Sequence, residues 1–308
     1  MIECVRFVSG ATPIFMVGDS NAIIFDGLLF ECPALFAQPF VTHGVFCRGL
    51  MAANFSDASG ALNADVLAVL FRHALVLGDD ASWYALHLAF AQLRPEAFRV
   101  ELGRLRHRWK VEANDHVDSR PIAIMVGTLD LEAILRTLPP GCDFALQDRR
   151  YAVPDGFEPA VGPYVPAQLV NDLIADRLKP LALGLRTMRD AGLENVYLHS
   201  LHPPPADDYK YAKMRGVNAQ AVLRYKVVLT INAQFRALCE REQIRFLDMW
   251  AATTTRDGAL DPRFEYDGDH LNQAAAELSV RTLLADLATR ALPKKRDLSD
   301  LAREQPAG

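Results

Sequence analysis

The sequence lacks several features that define particular classes of protein. Its five cysteines lie far apart, with no CxxC pair and an odd total, which indicates neither a disulfide framework nor a zinc site. No apolar run approaches the length needed to span a bilayer. The net charge is −5 and no basic stripe is present, so neither a membrane nor a nucleic acid is an expected partner.

The first ten residues, MIECVRFVSG, include an acid at Glu3 and lack the basic and then apolar pattern of a secretory signal. Cysteines spaced in this way are typical of free thiols in a reducing compartment. We therefore expect a cytoplasmic protein. The sequence indicates no cofactor and no metal ion, and it leaves the oligomeric state open.

The composition is that of a globular protein. Half of the 308 residues are hydrophobic and 23% are charged, which provides enough apolar material for a large core. No internal repeat is present, and no linker divides the chain. We interpret residues 1–293 as a single domain and residues 294–308 as a polar C-terminal tail.

Short apolar runs alternate with stretches that have helical spacing, and this alternation predicts an open parallel sheet covered by helices on both faces. The predicted strands are Ile14–Val17, Phe40–Phe46, Ile122–Val126, Val196–His199 and Ile244–Leu247. The predicted helices are Ala61–Leu77, Ser82–Trp109, Ala167–Ala191, Val217–Arg241 and Asn272–Ala291.

Two long segments interrupt this alternation. Leu138–Pro166 is rich in Pro, Gly and aromatic residues, and His202–Gly216 begins with a run of prolines. Loops of this length are uncommon unless they bind something or are disordered. We expect both loops to fold over the carboxyl edge of the sheet and to set the selectivity of a site there.

Two short motifs fall at the ends of predicted strands. FMVGDSNAIIF places Ser20 after the first strand, where a serine is often only the N-cap of a helix. FEYDGDHLN places Asp267 three residues before His270, beyond the fifth strand. Open α/β sheets bind ligands at the carboxyl ends of their strands. A Ser, a His that can take its proton and an Asp that holds the His form the arrangement used for acyl transfer.

With these residues the chain resembles the SGNH (GDSL-type) hydrolase family. That family carries a GDS block early, a Gly after the second strand, GxND after the third and DxxH near the C-terminus. The resemblance implies that Ser20 is the nucleophile, His270 the base and Asp267 its orienting partner. It also implies that the backbone N–H groups of Ser20 and Gly49, the latter in CRGLMAAN, bind the oxyanion.

By pattern and by resemblance we expect a three-layer α/β/α sandwich with a five-stranded parallel sheet in the flavodoxin-like order 2-1-3-4-5. One block departs from the family pattern, because IMVGTLDLEAI has Leu129 at the asparagine position of GxND. Losing one oxyanion donor typically costs ~10²–10³ in kcat. The two backbone amides could still support acyl transfer, and Asn54 or His202 could fill the gap.

The resulting functional hypothesis is a metal-independent serine hydrolase that acts on carboxylic esters, as an esterase or deacetylase. The resemblance implies a small-molecule or glycan ester as substrate, acetylated sugars among them. Two alternatives stay open. The same triad could transfer the acyl group to an acceptor hydroxyl, or Leu129 could mark a catalytically weak protein that binds an acyl or glycan ligand.

Overall fold

A computed structural model describes residues 11–33, 36, 38–63, 66, 121–148, 153, 157, 160–190, 193, 195–267 and 270–291. The predicted helix Ser82–Trp109 and the tail 294–308 lie outside the described residues. So does most of the predicted helix Ala61–Leu77. All five predicted strands are present, with ends that agree to within two residues.

The strands of the described chain form one sheet of six. They are β1 (Thr12–Gly18), β2 (Leu29–Phe30), β3 (Phe40–Phe46), β4 (Ile122–Met125), β5 (Val196–His199) and β6 (Arg245–Leu247). Their order across the sheet is β2-β3-β1-β4-β5-β6. The predicted count of five is corrected by β2, a two-residue strand that pairs antiparallel with β3 at the edge. The other five strands are parallel and, numbered among themselves, follow the predicted order 2-1-3-4-5.

The central strand β1 brings the carboxyl ends of its neighbours to one place. Gly18, the last residue of β1, lies opposite Phe46 on β3 and Met125 on β4. The segments that follow these three strands therefore leave the sheet side by side at its carboxyl edge.

The described α-helices lie between and after these strands. They are α1 (Thr128–Thr137), α2 (Ala167–Asp190), α3 (Asp208–Arg215), α4 (Ala221–Glu242), α5 (Trp250–Thr253) and α6 (Gln273–Ala291). Helices α2, α4 and α6 confirm the predicted helices in these regions, and their bounds differ from the predicted ones by no more than four residues. None of the helices that the structure describes is long and apolar enough to cross a membrane.

The helix α3 corrects the prediction of a continuous loop over His202–Gly216. Asp207 accepts a hydrogen bond from the Lys210 amide at its N-terminus, and Gly216 ends it in the left-handed region at φ 62°. The fully buried Arg224 of α4 donates to Asp208 Oδ1 at 2.7 Å. Caps and one contact distant in sequence stabilise this mostly polar helix, so hydrophobic periodicity could not reveal it.

The apolar core lies on both faces of the sheet because successive strand residues point to opposite sides. Phe15 and Val17 of β1 pack in one cluster with residues of α1, α2 and α4. Ile14 and Met16 pack in a second cluster with Val280 and its neighbours on α6. The sheet is therefore the middle of three layers, which confirms the predicted fold class.

Candidate active site

The last residue of β1, Gly18, has no space for a side chain. A Cβ on Gly18 would lie 2.0 Å from the Met125 carbonyl oxygen, well inside the closest normal approach. One residue later, the Asp19 amide donates to that same oxygen at 3.1 Å. The chain then begins a 3₁₀ turn, Ser20–Phe25, and the half-buried Ser20 is its first residue.

Asp19, not Ser20, is the N-cap of this turn. Its Oδ1 accepts a hydrogen bond from the Asn21 amide at 3.0 Å. Burial raises the pKa of Asp19, although the hydrogen bonds from Asn21 and Thr128 and the charge of His202 act in the opposite direction. Because Asp19 caps the turn, the Ser20 hydroxyl is left for other contacts.

The structure brings Ser20, His270 and Asp267 together across the chain. Ser20 Oγ lies 2.9 Å from His270 Nε2, and His270 Nδ1 lies 2.8 Å from Asp267 Oδ2. The other carboxylate oxygen of Asp267 accepts from the His270 amide at 2.9 Å. A carboxylate beside Nδ1 favours the tautomer that carries its proton there, which leaves Nε2 able to accept a proton from Ser20.

A buried asparagine, which the sequence analysis did not single out, joins the two halves of this arrangement. Asn21 is 2% exposed, and its Oδ1 accepts a hydrogen bond from the Leu271 amide at 3.1 Å. Asn21, the residue after Ser20, is therefore hydrogen-bonded to Leu271, the residue after His270. Its position next to Ser20 was the available signal, but its partner lies 250 residues away.

Gly49 lies in the segment that leaves β3 at the same edge. It adopts φ +74°, a conformation that favours glycine. Within the part of the chain that the structure describes, neither the Ser20 N–H nor the Gly49 N–H donates to another group. These two residues are the predicted oxyanion donors.

Both polar atoms of the Asn54 side chain are already hydrogen-bonded within its own segment. Its Oδ1 accepts from the Met51 amide at 2.7 Å, and its Nδ2 donates to the Gly49 carbonyl at 3.0 Å. The Asn54 side chain therefore holds the turn that carries Gly49. The Asn position of the GxND block is occupied by Leu129, the second residue of α1, whose side chain is partly exposed.

Two histidines, His199 at the end of β5 and His202 three residues later, have different environments. His199 is buried, and its ring contacts the Ser200 carbonyl at 2.6 Å and Ser279 Oγ at 3.0 Å. Burial lowers its pKa to about 4, so it is neutral at pH 7. His202 is half-buried, and its Nδ1 lies 2.9 Å from the Pro203 carbonyl. It lines a small cavity together with Asp19.

Of the two predicted selectivity loops, the second lines two small cavities, and Ser20, His270 and Asp267 are not among the residues that line them. Pro204, Pro205 and Tyr211 line a cavity next to the one that His202 shares with Asp19. The described part of the first loop packs on α4, where Lys226 contacts Asp143 and donates to the Phe144 carbonyl at 3.0 Å. Among the described residues, no group of three or more His, Cys, Asp or Glu side chains could hold a metal ion.

Searches for relatives of the chain found similarity only among solved structures. No family model and no curated protein matches it. A GDSL-like lipase from Bacteroides thetaiotaomicron is 13% identical with a TM-score of 0.40, and the match covers 94% of this chain and 93% of that one. A carbohydrate acetylesterase from Sinorhizobium meliloti is 12% identical with a TM-score of 0.39, and the match covers 91% and 98%.

An aryl esterase from M. smegmatis is also 12% identical, with a TM-score of 0.37 and coverage of 91% and 98%. All three TM-scores lie below 0.5.

Proposed function

We propose that this chain is an SGNH-type serine hydrolase that acts on carboxylic esters. The observation that carries the proposal is the unbroken series of hydrogen bonds from Ser20 through His270 to Asp267. Ser20 is partly exposed at the carboxyl edge of the sheet, where a substrate can reach it. Since Asp19 serves as the cap, the hydroxyl of Ser20 has no structural role that would compete with catalysis.

In the first half of the reaction, Ser20 Oγ attacks the ester carbonyl and His270 Nε2 takes its proton. Asp267 keeps the ring in position and stabilises the imidazolium that forms. The N–H groups of Ser20 and Gly49 bind the oxygen that becomes negative. His270 then gives the proton to the leaving alcohol, and an acyl–Ser20 ester remains.

In the second half, water attacks the acyl–Ser20 ester with His270 again acting as the base. The carboxylate product leaves, and Ser20 recovers its proton. We propose a small-molecule or glycan ester as the substrate, including acetylated sugars. We propose that His202, at the start of the second loop, contacts the substrate.

A fluorophosphonate probe with peptide mapping tests this function. The probe should modify Ser20, and Ser20→Ala should lose both the label and the hydrolysis of p-nitrophenyl acetate. Ser59→Ala is the matched control, because Ser59 is exposed and its hydroxyl contacts only Asp57 among the described residues. Full turnover by Ser20→Ala would disprove the assignment.

Two further measurements separate the alternatives. Product analysis with added alcohols distinguishes hydrolysis from acyl transfer, since a transferase forms the new ester in preference to the free acid. A folded wild type that neither takes the label nor turns over any ester would instead indicate a protein that binds acyl or glycan ligands.

A further inference from the structure

The residue after Leu129 makes a group of contacts that the reaction described above does not use. Asp130 is 1% exposed, and its Oδ2 accepts a hydrogen bond from the Ala52 amide at 2.6 Å. Its Oδ1 faces the Ala53 amide at 3.3 Å and Arg177 Nε of α2, also at 3.3 Å. The carboxylate therefore leaves its own helix and contacts the segment after β3.

The backbone amides that donate to Asp130 belong to a turn that follows the one containing Gly49, in which the Leu50 amide donates to the Cys47 carbonyl. Ala52 and Ala53 begin the short 3₁₀ turn Ala52–Asn54. Within the same turn, Asn54 donates to the Gly49 carbonyl and accepts from the Met51 amide. Asn54 thus links the 3₁₀ turn to the Gly49–Leu50 peptide, and Asp130 holds the 3₁₀ turn against α1.

Asp130 is itself held in a fixed relation to the nucleophile. It lies in the first turn of α1, directly after β4, whose last residue Met125 pairs with Gly18 of β1. The Met125 carbonyl also accepts from the Asp19 amide, next to Ser20. Strand pairing and hydrogen bonds therefore connect the turn of Ser20, through β4 and Asp130, to the segment that contains Gly49.

A contribution to stability alone does not explain why a carboxylate is buried at position 130. Burial raises the pKa of Asp130, against the effect of its hydrogen bonds and of Arg177. Its charged form is therefore disfavoured in the fold, and a buried charge is costly unless it is fully paired. Arg177, the counter-charge, is 25% exposed and reaches only one of the two oxygens.

We propose that Asp130 is a positioning residue for the oxyanion site, which it maintains by holding the 3₁₀ turn Ala52–Asn54, whose Asn54 binds the Gly49 carbonyl. This inference rests on the proposed function. Because Leu129 leaves the oxyanion to backbone N–H groups, the position of Gly49 is the quantity that matters most for stabilising the transition state. A displacement of a reacting group by about 1 Å can cost ~10² in rate.

The test is Asp130→Asn, measured in two ways. Steady-state kinetics on p-nitrophenyl acetate should show kcat lower by ~10- to 10²-fold with KM within ~3-fold, because the oxyanion forms only in the transition state. Hydrogen exchange should show faster exchange in a peptide covering residues 50–54. The matched control is Glu132→Gln, which removes a buried carboxylate on the same helix, paired with Arg215, and should keep kcat.

A folded Asp130→Asn variant with wild-type kcat, or with unchanged exchange at residues 50–54, would overturn the inference. An equal loss of kcat in Glu132→Gln would also overturn it, since the effect would then be general destabilisation. Arg177→Gln, which retains Asp130, should give smaller changes of the same kind and decides the matter if Asp130→Asn does not fold. A wild type without esterase activity would refute the proposed function, and the exchange result would still test the contact.

Discussion

The two sides of Ser20 are built differently. On one side, His270 and Asp267 form a complete chain of polar side chains, and Asn21 locks it to the turn of Ser20. On the other side, the expected side-chain donor is replaced by Leu129, and the charge would be met by backbone N–H groups. In the proposed reaction, the proton-transfer half of the site is therefore complete, while the charge-stabilising half would depend on the placement of one loop.

The largest effect should come from breaking the complete side at Asp267. Asp267→Asn keeps the shape but removes the charge that orients and stabilises His270, so kcat should fall by ~10⁴. Steady-state kinetics on p-nitrophenyl acetate measures this. The control is Asp261→Asn, which should have little effect on kcat. Asp261 caps the 3₁₀ turn Pro262–Phe264 by accepting from the Arg263 amide. Wild-type kcat in Asp267→Asn would show that the first side is not catalytic.

The incomplete side should be improved by restoring a donor at position 129. Leu129→Asn should raise kcat by up to ~10² if the amide reaches the oxyanion. The partly exposed side chain of Leu129 makes a polar replacement tolerable at this position. Leu129→Ala removes the same side chain without adding a donor, and it should not raise kcat. An equal gain in both variants would show that bulk, and not hydrogen bonding, limits the wild type.

A smaller loss should follow from weakening the connection between Ser20 and His270. Asn21→Ala leaves the buried Leu271 amide without its acceptor, so the free energy of unfolding should fall by ~1–3 kcal/mol. We also expect kcat to fall by about tenfold, because His270 is less firmly placed. Urea denaturation and steady-state kinetics check the two effects. Loss of stability with full kcat would show that Asn21 supports only the fold.

The smallest effect on activity is expected at a charged site outside both halves. Arg186 of α2 donates to Glu242 at 2.8 and 3.0 Å, and these hydrogen bonds lower the pKa of Glu242 from 4.5 to about 2. Glu242 therefore contributes stability above about pH 4.5, and this contribution is lost as the pH falls towards 2.

Glu242→Gln should accordingly lower Tm at pH 7 and flatten the fall of Tm between pH 4.5 and 2, the interval between the unfolded and folded pKa values of Glu242. Its kcat per folded molecule should equal that of the wild type. A pH series of thermal melts measures the first effect, and active-site titration with the fluorophosphonate probe normalises the second. A reduced kcat would mean that the C-terminal end of α4 at Glu242 communicates with the site.

The sheet could be predicted from sequence because buried parallel strands are short apolar runs with polar boundaries. Phe40–Phe46 and Val196–His199 have the same bounds in the structure as in the prediction. The two-residue β2 is too short to give a pattern, and α3 depends on caps and on Arg224. Such features are specified by contacts between distant parts of the chain.

The same distinction applies to the site. Ser20, His270 and Asp267 could be nominated because each follows a strand at the ligand-binding edge. Asp130 and Asn21 could not be assigned a partner, since each accepts hydrogen bonds from backbone amides, 78 and 250 residues away respectively. A backbone amide has no residue type, so sequence patterns do not reveal which one a side chain will meet.

The hydrogen bond between Asn21 and Leu271 also has a consequence for folding. It joins the segment after the first described strand to the start of the last described helix, across 250 residues. His270 lies directly before this contact, so it can meet Ser20 only when the segment that leads into α6 is docked. Esterase activity should therefore appear only with the final docking of α6 during refolding. It should disappear at the first detachment of that helix during unfolding.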